Sequence, residues 1–237
     1  MAVPAEARSL ARQPVANGGL IYLSDGAVLK VSGMGPRRAA MASRTLLEKG
    51  ATALLSWGSA GGLSRELSPG SLILPKTVIA SDQSVYHVET SWHQRLCNRL
   101  KGHIDFHTEP LAESATVVCA PGEKAVLFQR TGAIGVDMES AAVAIAAQEA
   151  QVPFMVVRAV ADSADTTVPE SSLNAVDEFG RLSGLKLIQG LAAHPGELFA
   201  LARIARNYHA AQRTLAMVAR LAGYDVLVPL DAIKERP

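Results

Sequence analysis

Two adjoining apolar stretches constrain this chain more than any other feature. Met138 to Ala147 is apolar nearly all round after its first turn, so a helix there must be buried. Val152 to Ala161 then runs almost without a polar residue, as expected of a strand covered on both faces. A buried helix feeding a doubly covered strand belongs in an open α/β sheet. Ligands of such sheets bind outside the carboxyl ends of the strands. Glu139 opens the helix, and Asp162 and Asp165 follow the strand, so the three carboxylates are predicted to meet in one cleft.

The rest of the chain fits that plan. Gly19 to Leu23 and Ala27 to Ser32 read as strands joined by an Asp25-Gly26 hairpin turn. Pro36 opens a helix that Gly50 closes. Thr52 to Trp57 reads as a strand ending in a loop, Gly58-Ser59-Ala60-Gly61-Gly62. Ser71 to Ala80 reads as one long strand after a Pro69-Gly70 turn, and Trp92 to Lys101 as a helix. Ala115 to Ala120 reads as a short strand, Pro121 to Arg130 as a helix and Ala133 to Val136 as a strand. Two helical patterns finish the chain, about Ser171 to Ala193 and Gly196 to Ala222, with Gly223 as a cap. Alternating strands and helices predict a three-layer α/β/α domain on a mixed, mostly parallel twisted sheet. Residues 1–195 form that domain in this reading, and 196–237 a helical extension packed on it.

Composition excludes several classes. The chain has 237 residues, a net charge of +1 and no massed basic block, so nothing points to nucleic acid as a partner. No apolar run reaches the length of a membrane span, and the start lacks the apolar core of a signal peptide. The 2 cysteines form no CxxC pair and read as thiols in a reducing cytoplasm. No metal site is predicted. The histidines lack HExxH spacing, and the residues between His103 and His107 read as strand.

Two glycine-bearing segments follow predicted strands, Gly33-Met34-Gly35 and Gly58 to Gly62. Each lets backbone N–H groups approach an anion. Each also fits a plain tight turn, and neither matches a dinucleotide or NTP fingerprint. Glu139 reads either as a carboxylate stabilising a helix N-terminus or as a bidentate acceptor for two vicinal sugar hydroxyls. Asp162 reads either as a loop cap or as a general acid, since a carboxyl beside apolar walls holds its proton near neutral pH.

The segments Ser56 to Leu63, Val136-Asp137-Met138-Glu139 and Arg158 to Asp165 together resemble the nucleoside phosphorylase and methylthioadenosine/adenosylhomocysteine nucleosidase superfamily. They stand in the family's order across most of residues 1–195. The resemblance implies cleavage of a ribosyl-to-purine bond. It makes Asp162 the acid that protonates the purine at N7, Glu139 the ligand of the ribose hydroxyls and Met138 the residue under the sugar. Ser163 and Asp165 join the substrate-binding set. Gly33, Gly35, Gly58 and Ser59 fall on the phosphate or nucleophile side. Glu6 matches a glutamate that orients the attacking water in hydrolytic members.

This sequence departs from that pattern in three places, one being a shorter segment before Glu139. The arginine that precedes the glycine loop in hexameric purine phosphorylases is replaced by Ser56-Trp57, so Arg37 or Arg38 is the expected phosphate ligand. The strand that usually precedes Glu6 is missing or cut.

The Gly33-to-Ala39 run, Asp137 and the helical tail look most like the hopanoid-associated branch. That likeness implies a transferase releasing adenine from adenosylhopane, with inorganic phosphate as co-substrate and no other cofactor. It implies a lipid-linked or small nucleoside as partner, a homo-oligomer, and a cytoplasmic protein in peripheral contact with the inner membrane. A hydrolytic nucleosidase and a catalytically silent nucleoside-binding protein are the alternatives. In the tail, Leu198, Leu201, Ala205, Tyr208, Ala211, Leu215, Val218 and Ala222 make an apolar stripe. Arg206, Arg213 and Arg220 recur on another face, which suits a packed helix with a solvated basic side, or a helix resting on an anionic bilayer.

Overall fold

The computed structural model describes residues 1–11, 18–23, 26–168, 198–223 and Leu227. A short helix, α1 (Pro4–Ala7), precedes a two-stranded antiparallel hairpin, β1 (Leu20–Tyr22) and β2 (Val28–Lys30). The main sheet has eight strands: β3 (Leu54–Gly62), β4 (Leu72–Ile73), β5 (Thr77–Ile79), β6 (Val85–His87), β7 (Phe106–His107), β8 (Leu111–Glu113), β9 (Gly135–Asp137) and β10 (Phe154–Asp162). Their order is β6-β5-β8-β9-β3-β10-β4-β7. The β3–β10, β4–β7, β5–β8 and β8–β9 pairs are parallel; β3–β9, β4–β10 and β5–β6 are antiparallel. The fold is the mixed three-layer α/β arrangement.

The helices are α2 (Pro36–Glu48), α3 (Thr90–Leu100), α4 (Pro121–Thr131), α5 (Ser140–Glu149) and α6 (Leu198–Ala222). The buried face of α5 is almost wholly alanine, so it approaches β3 and β10 closely, with α2 on its other side. The first seven residues of β10 are all buried, which explains its unbroken apolar composition. On α6 the stripe residues Ala211, Leu215, Val218 and Ala222 are fully buried against the core, and α3 and β10 are its main neighbours. The N-terminal half of α6 is more open, and Phe199 is 85% exposed.

Three sequence expectations are corrected. Gly58 to Gly62 is not a loop but the second half of β3, paired to β10 on one side and β9 on the other. Its glycines serve close packing rather than a turn. Ser71 to Ala80 is not one strand. It breaks near Pro75 into β4 and β5, which lie far apart in the sheet, because proline cannot donate to a ladder. Ala115 to Ala120 forms no strand; the pairing segment is Leu111–Glu113, just after Pro110. The pattern from Ser171 to Ala193 and the boundary near residue 195 lie outside the described residues.

Candidate active site

One cavity of about 1100 Å³ opens beside the carboxyl ends of β3 and β10. Its wall includes Glu6, Ser59, Met138, Glu139 and Asp162, so the predicted carboxylates at 139 and 162 share it. Each is delivered by a local device.

Asp162 ends β10. Opposite β3, Val160 pairs with Ala60 but Asp162 pairs with Gly61, so Ala161 is an extra residue in the ladder. Bulges re-aim the side chain that follows them. A Cβ on Gly61 would lie 3.3 Å from Asp162 Oδ2, so only glycine leaves the carboxyl ordinary room. The Asp162 carboxylate accepts from Lys124 Nζ, and the Lys124 side chain is fully buried. Burial pushes the Asp162 carboxyl above its ordinary range, against the opposing pull of Lys124.

Glu139 precedes the first turn of α5, but capping falls to Asp137. Asp137 Oδ1 accepts from Ser140 N at 3.1 Å and Glu139 N at 3.3 Å, and its other oxygen accepts from the Ser140 hydroxyl. Glu139 is thereby released to reach across the chain, where its Oε1 accepts from Gly35 N at 2.9 Å. Burial, reinforced by the charge of Asp137, raises its carboxyl to about 7. Asp137 itself is held by Arg158 Nε at 2.6 Å, and Arg158 Nη2 donates to Ser56 Oγ at 2.7 Å and Ser140 Oγ at 3.1 Å.

Glu6 is buried on the opposite side. Its Oε1 accepts from Ser59 N and from Ser59 Oγ, both at 2.8 Å, while Oε2 accepts from Ala2 N and Val3 N. Gly58 sits beneath this contact. A Cβ there would lie 2.8 Å from Arg158 Nη1 and 2.8 Å from Glu6 Cδ and Oε1.

Other predicted residues lie elsewhere. Gly33 N donates to Ala2 O at 3.0 Å, so the amides of the first glycine turn go to Ala2 and Glu139. Arg37 and Arg38 line a separate cavity of about 580 Å³ with Lys30, Ser32 and Thr45. Ser163 contacts Thr166 Oγ1 through its hydroxyl at 2.8 Å. Asp165 stands on the surface, 67% exposed, 3.4 Å from Arg65. Among the described residues no group of three or more metal-ligating side chains comes together.

Lys124 was not legible as a site residue. The available signal was a lysine three positions before Leu127 on the inward face of an otherwise amphipathic helix. Arg158 carried a signal too, as one cation inside an apolar strand.

The cavity thus gathers the carboxylates of Glu6, Asp137, Glu139 and Asp162 beside the strand ends of a three-layer α/β sheet. The sequence matches the Phosphorylase superfamily over residues 18–192, and the chain belongs to that family. It is 27% identical over 171 residues to the 5′-methylthioadenosine/S-adenosylhomocysteine nucleosidase of Buchnera aphidicola subsp. Baizongia pistaciae; the match covers 64% of this chain and 65% of that relative. The fold is also that of the Helicobacter pylori nucleosidase of the same name, at TM-score 0.65 and 17% identity over 92% of this chain and 95% of the other. Futalosine hydrolase of H. pylori strain 26695 matches at TM-score 0.65 and 18% identity over 93% and 95%.

Proposed function

We propose that the protein hydrolyses the bond between adenine and ribose in an adenine nucleoside. The observation that carries this reading is Glu6 clamped against both the amide and the hydroxyl of Ser59. A carboxylate fills the donors that an incoming phosphate would need, and it repels a dianion at that spot. It suits water, which it can orient and deprotonate. Arg37 and Arg38, the expected phosphate ligands, line a different cavity, while the arginines on the wall of this one are Arg8 and Arg213. The expected phosphate co-substrate therefore has less support than water.

In this mechanism Glu139 accepts from the ribose hydroxyls and fixes the ring, with Met138 beside it. The N9–C1′ bond lengthens and the sugar gains oxocarbenium character, as in glycoside cleavage. Asp162 delivers a proton to N7, so adenine leaves neutral. Water attacks C1′ from the Glu6 side and gives its proton to that carboxylate. A positioned acid of this kind contributes about 10²- to 10⁴-fold.

The cavity exceeds the ~300–1,000 Å³ that holds a drug-sized ligand. Val117, Val118, Leu201, Ile204 and Ala205 line part of it. This supports a substrate with an apolar 5′ substituent. Methylthioadenosine is the small case, in keeping with the relative's name, and adenosylhopane of hopanoid biosynthesis the lipid-linked one. The second would draw the protein to a membrane surface, where exposed Phe199 on α6 is suitably placed; no described helix is long and apolar enough to cross one. A homo-oligomer completes this reading.

The test is a screen of adenosine, methylthioadenosine and adenosylhopane with and without phosphate. Free adenine and free ribose in phosphate-free buffer are expected. Adenine release that requires phosphate and yields a ribose phosphate overturns hydrolysis in favour of the transferase.

A further inference from the structure

The mechanism uses Asp162 but leaves its partner without a role. Lys124 comes from α4, an element that contributes nothing else to the proposed chemistry. Its side chain is fully buried, and its three N–H donors have three acceptors: Asp162 Oδ2, Ser163 O at 2.8 Å and Thr166 O at 3.1 Å. An ammonium taken out of water is costly unless every donor is met. This one is met by the Asp162 carboxylate and by the turn that follows it.

We propose that Lys124 is the positioning residue for the acid: it clamps Asp162 and the 163–166 turn together and sets the pH range in which that carboxyl can give up a proton. This rests on the reading of Asp162 as the acid. Two consequences of the geometry support it. The clamp holds Oδ2, which leaves Oδ1 as the oxygen able to meet a nucleobase. It also favours a charged Asp162 in the free protein, so the catalytic proton is taken up as the base enters and displaces water.

Among the described residues no other charged side chain is paired with Asp162. Gly61 faces it from β3 with no side chain. Glu123, beside Lys124, is turned to the start of α4, where its Oε2 accepts from Cys119 N and Ala120 N at 3.1 Å. Asp165, in the following turn, is exposed beside Arg65. Among the described residues, Lys124 is the charged group that pulls the Asp162 carboxyl down against the effect of burial.

The experiment is the pH profile of adenine release from methylthioadenosine for the unaltered protein, Lys124→Met, Lys124→Gln and Asp162→Asn. A general acid works while protonated, so its activity is lost on the alkaline side. Removing an adjacent cation raises that limb, by about 1–3 pH units for a contact pair. The expected result is lower kcat in both Lys124 variants with the alkaline limb displaced upward, and no turnover in Asp162→Asn. Lower kcat with the limb in place means a merely structural lysine and overturns the proposal. Full activity in Asp162→Asn removes the acid reading itself, and the proposal with it, which is a distinguishable outcome. Should neither Lys124 variant fold, the ¹³C carboxyl resonance of Asp162 in the unaltered, ligand-free protein decides. A charged carboxylate at pH 7 supports the clamp, and a neutral acid overturns it.

Discussion

Gly58→Ala places a single methyl group where the structure has no room for one. The new carbon would sit 2.8 Å from Arg158 Nη1 and 2.8 Å from Glu6 Cδ and Oε1. Gly58 lies inside β3 and is not among the glycines with positive φ, so the penalty is steric rather than conformational. Something must shift by about 0.6 Å or more to restore ordinary van der Waals contact. Arg158 resists, because Asp137, Ser56 and Ser140 hold its guanidinium inside the sheet. Glu6 yields more readily, since it rides on the four-residue helix α1. Overpacking of this kind costs about 1–3 kcal/mol, and each kcal/mol lowers Tm by roughly 2–4 °C in a chain of this size. The catalytic cost is larger. A misplacement near 1 Å in a reacting group costs about 10²-fold in rate. The expected outcome is therefore a folded protein with modestly lower Tm and kcat reduced about a hundredfold. KM should change little, because Glu6 is assigned to the water and not to the nucleoside. Adenine release and thermal unfolding measure the two effects on one sample. Wild-type kcat in a folded Gly58→Ala protein would refute the placement of Glu6 at the reacting centre.

Three further outcomes follow from the same geometry. Arg158→Met should destabilise by about 3–5 kcal/mol, because it strands the Asp137 carboxylate without its buried partner; urea unfolding measures this, and a change under 1 kcal/mol contradicts it. Glu139 ionises near 4.5 when unfolded and at about 7 when folded, so the folded state binds the extra proton between those values and stability falls as pH rises through them. Glu139→Gln should flatten that decline in unfolding free energy between pH 5 and 7, and an unchanged slope argues against a carboxyl whose burial outweighs its contacts with Gly35 N and, at 3.9 Å, Arg158 Nη2. Asp165→Ala should leave adenine release intact and shift stability by less than about 1 kcal/mol, since its partner Arg65 is 85% exposed; a large loss of turnover would restore Asp165 to the substrate-binding set.

Much of the architecture was readable because burial writes itself into composition. The strand before Asp162 is apolar on every side because protein surrounds its first seven residues; the helix after Glu139 was expected to be buried all round, but only its alanine face is, with Val143 half-buried and Ile145 37% exposed. The hairpin and the α2 cap at Gly50 were readable from turn chemistry, and Gly50 does take the left-handed conformation, φ 84°. The misreadings share a cause. Gly58, Gly61 and Gly62 look like a loop because glycine usually marks one. Here they thin a strand so that Glu6, Arg158 and Asp162 can approach it, and such crowding is a tertiary fact with no local pattern. Val117 and Val118 invite a strand through their branching, yet Val117 is 39% exposed and both line the cavity. Lys124 was hidden for a related reason. A lysine on a helix is ordinarily solvated, and only the fold brings three oxygens to it.

The two halves of α6 have different jobs. Ala211 to Ala222 anchors the helix on the sheet, while Leu201 to Tyr208 overhangs the cleft as an awning. The carboxylates assigned to the reaction, Glu6, Glu139 and Asp162, sit outside α6. On the proposed reading, Leu201 to Ala205 form a rim that can be remodelled to admit a different nucleoside, whereas Tyr208 lies close enough to feel the charge of Glu6, so a change there would reach the water side as well.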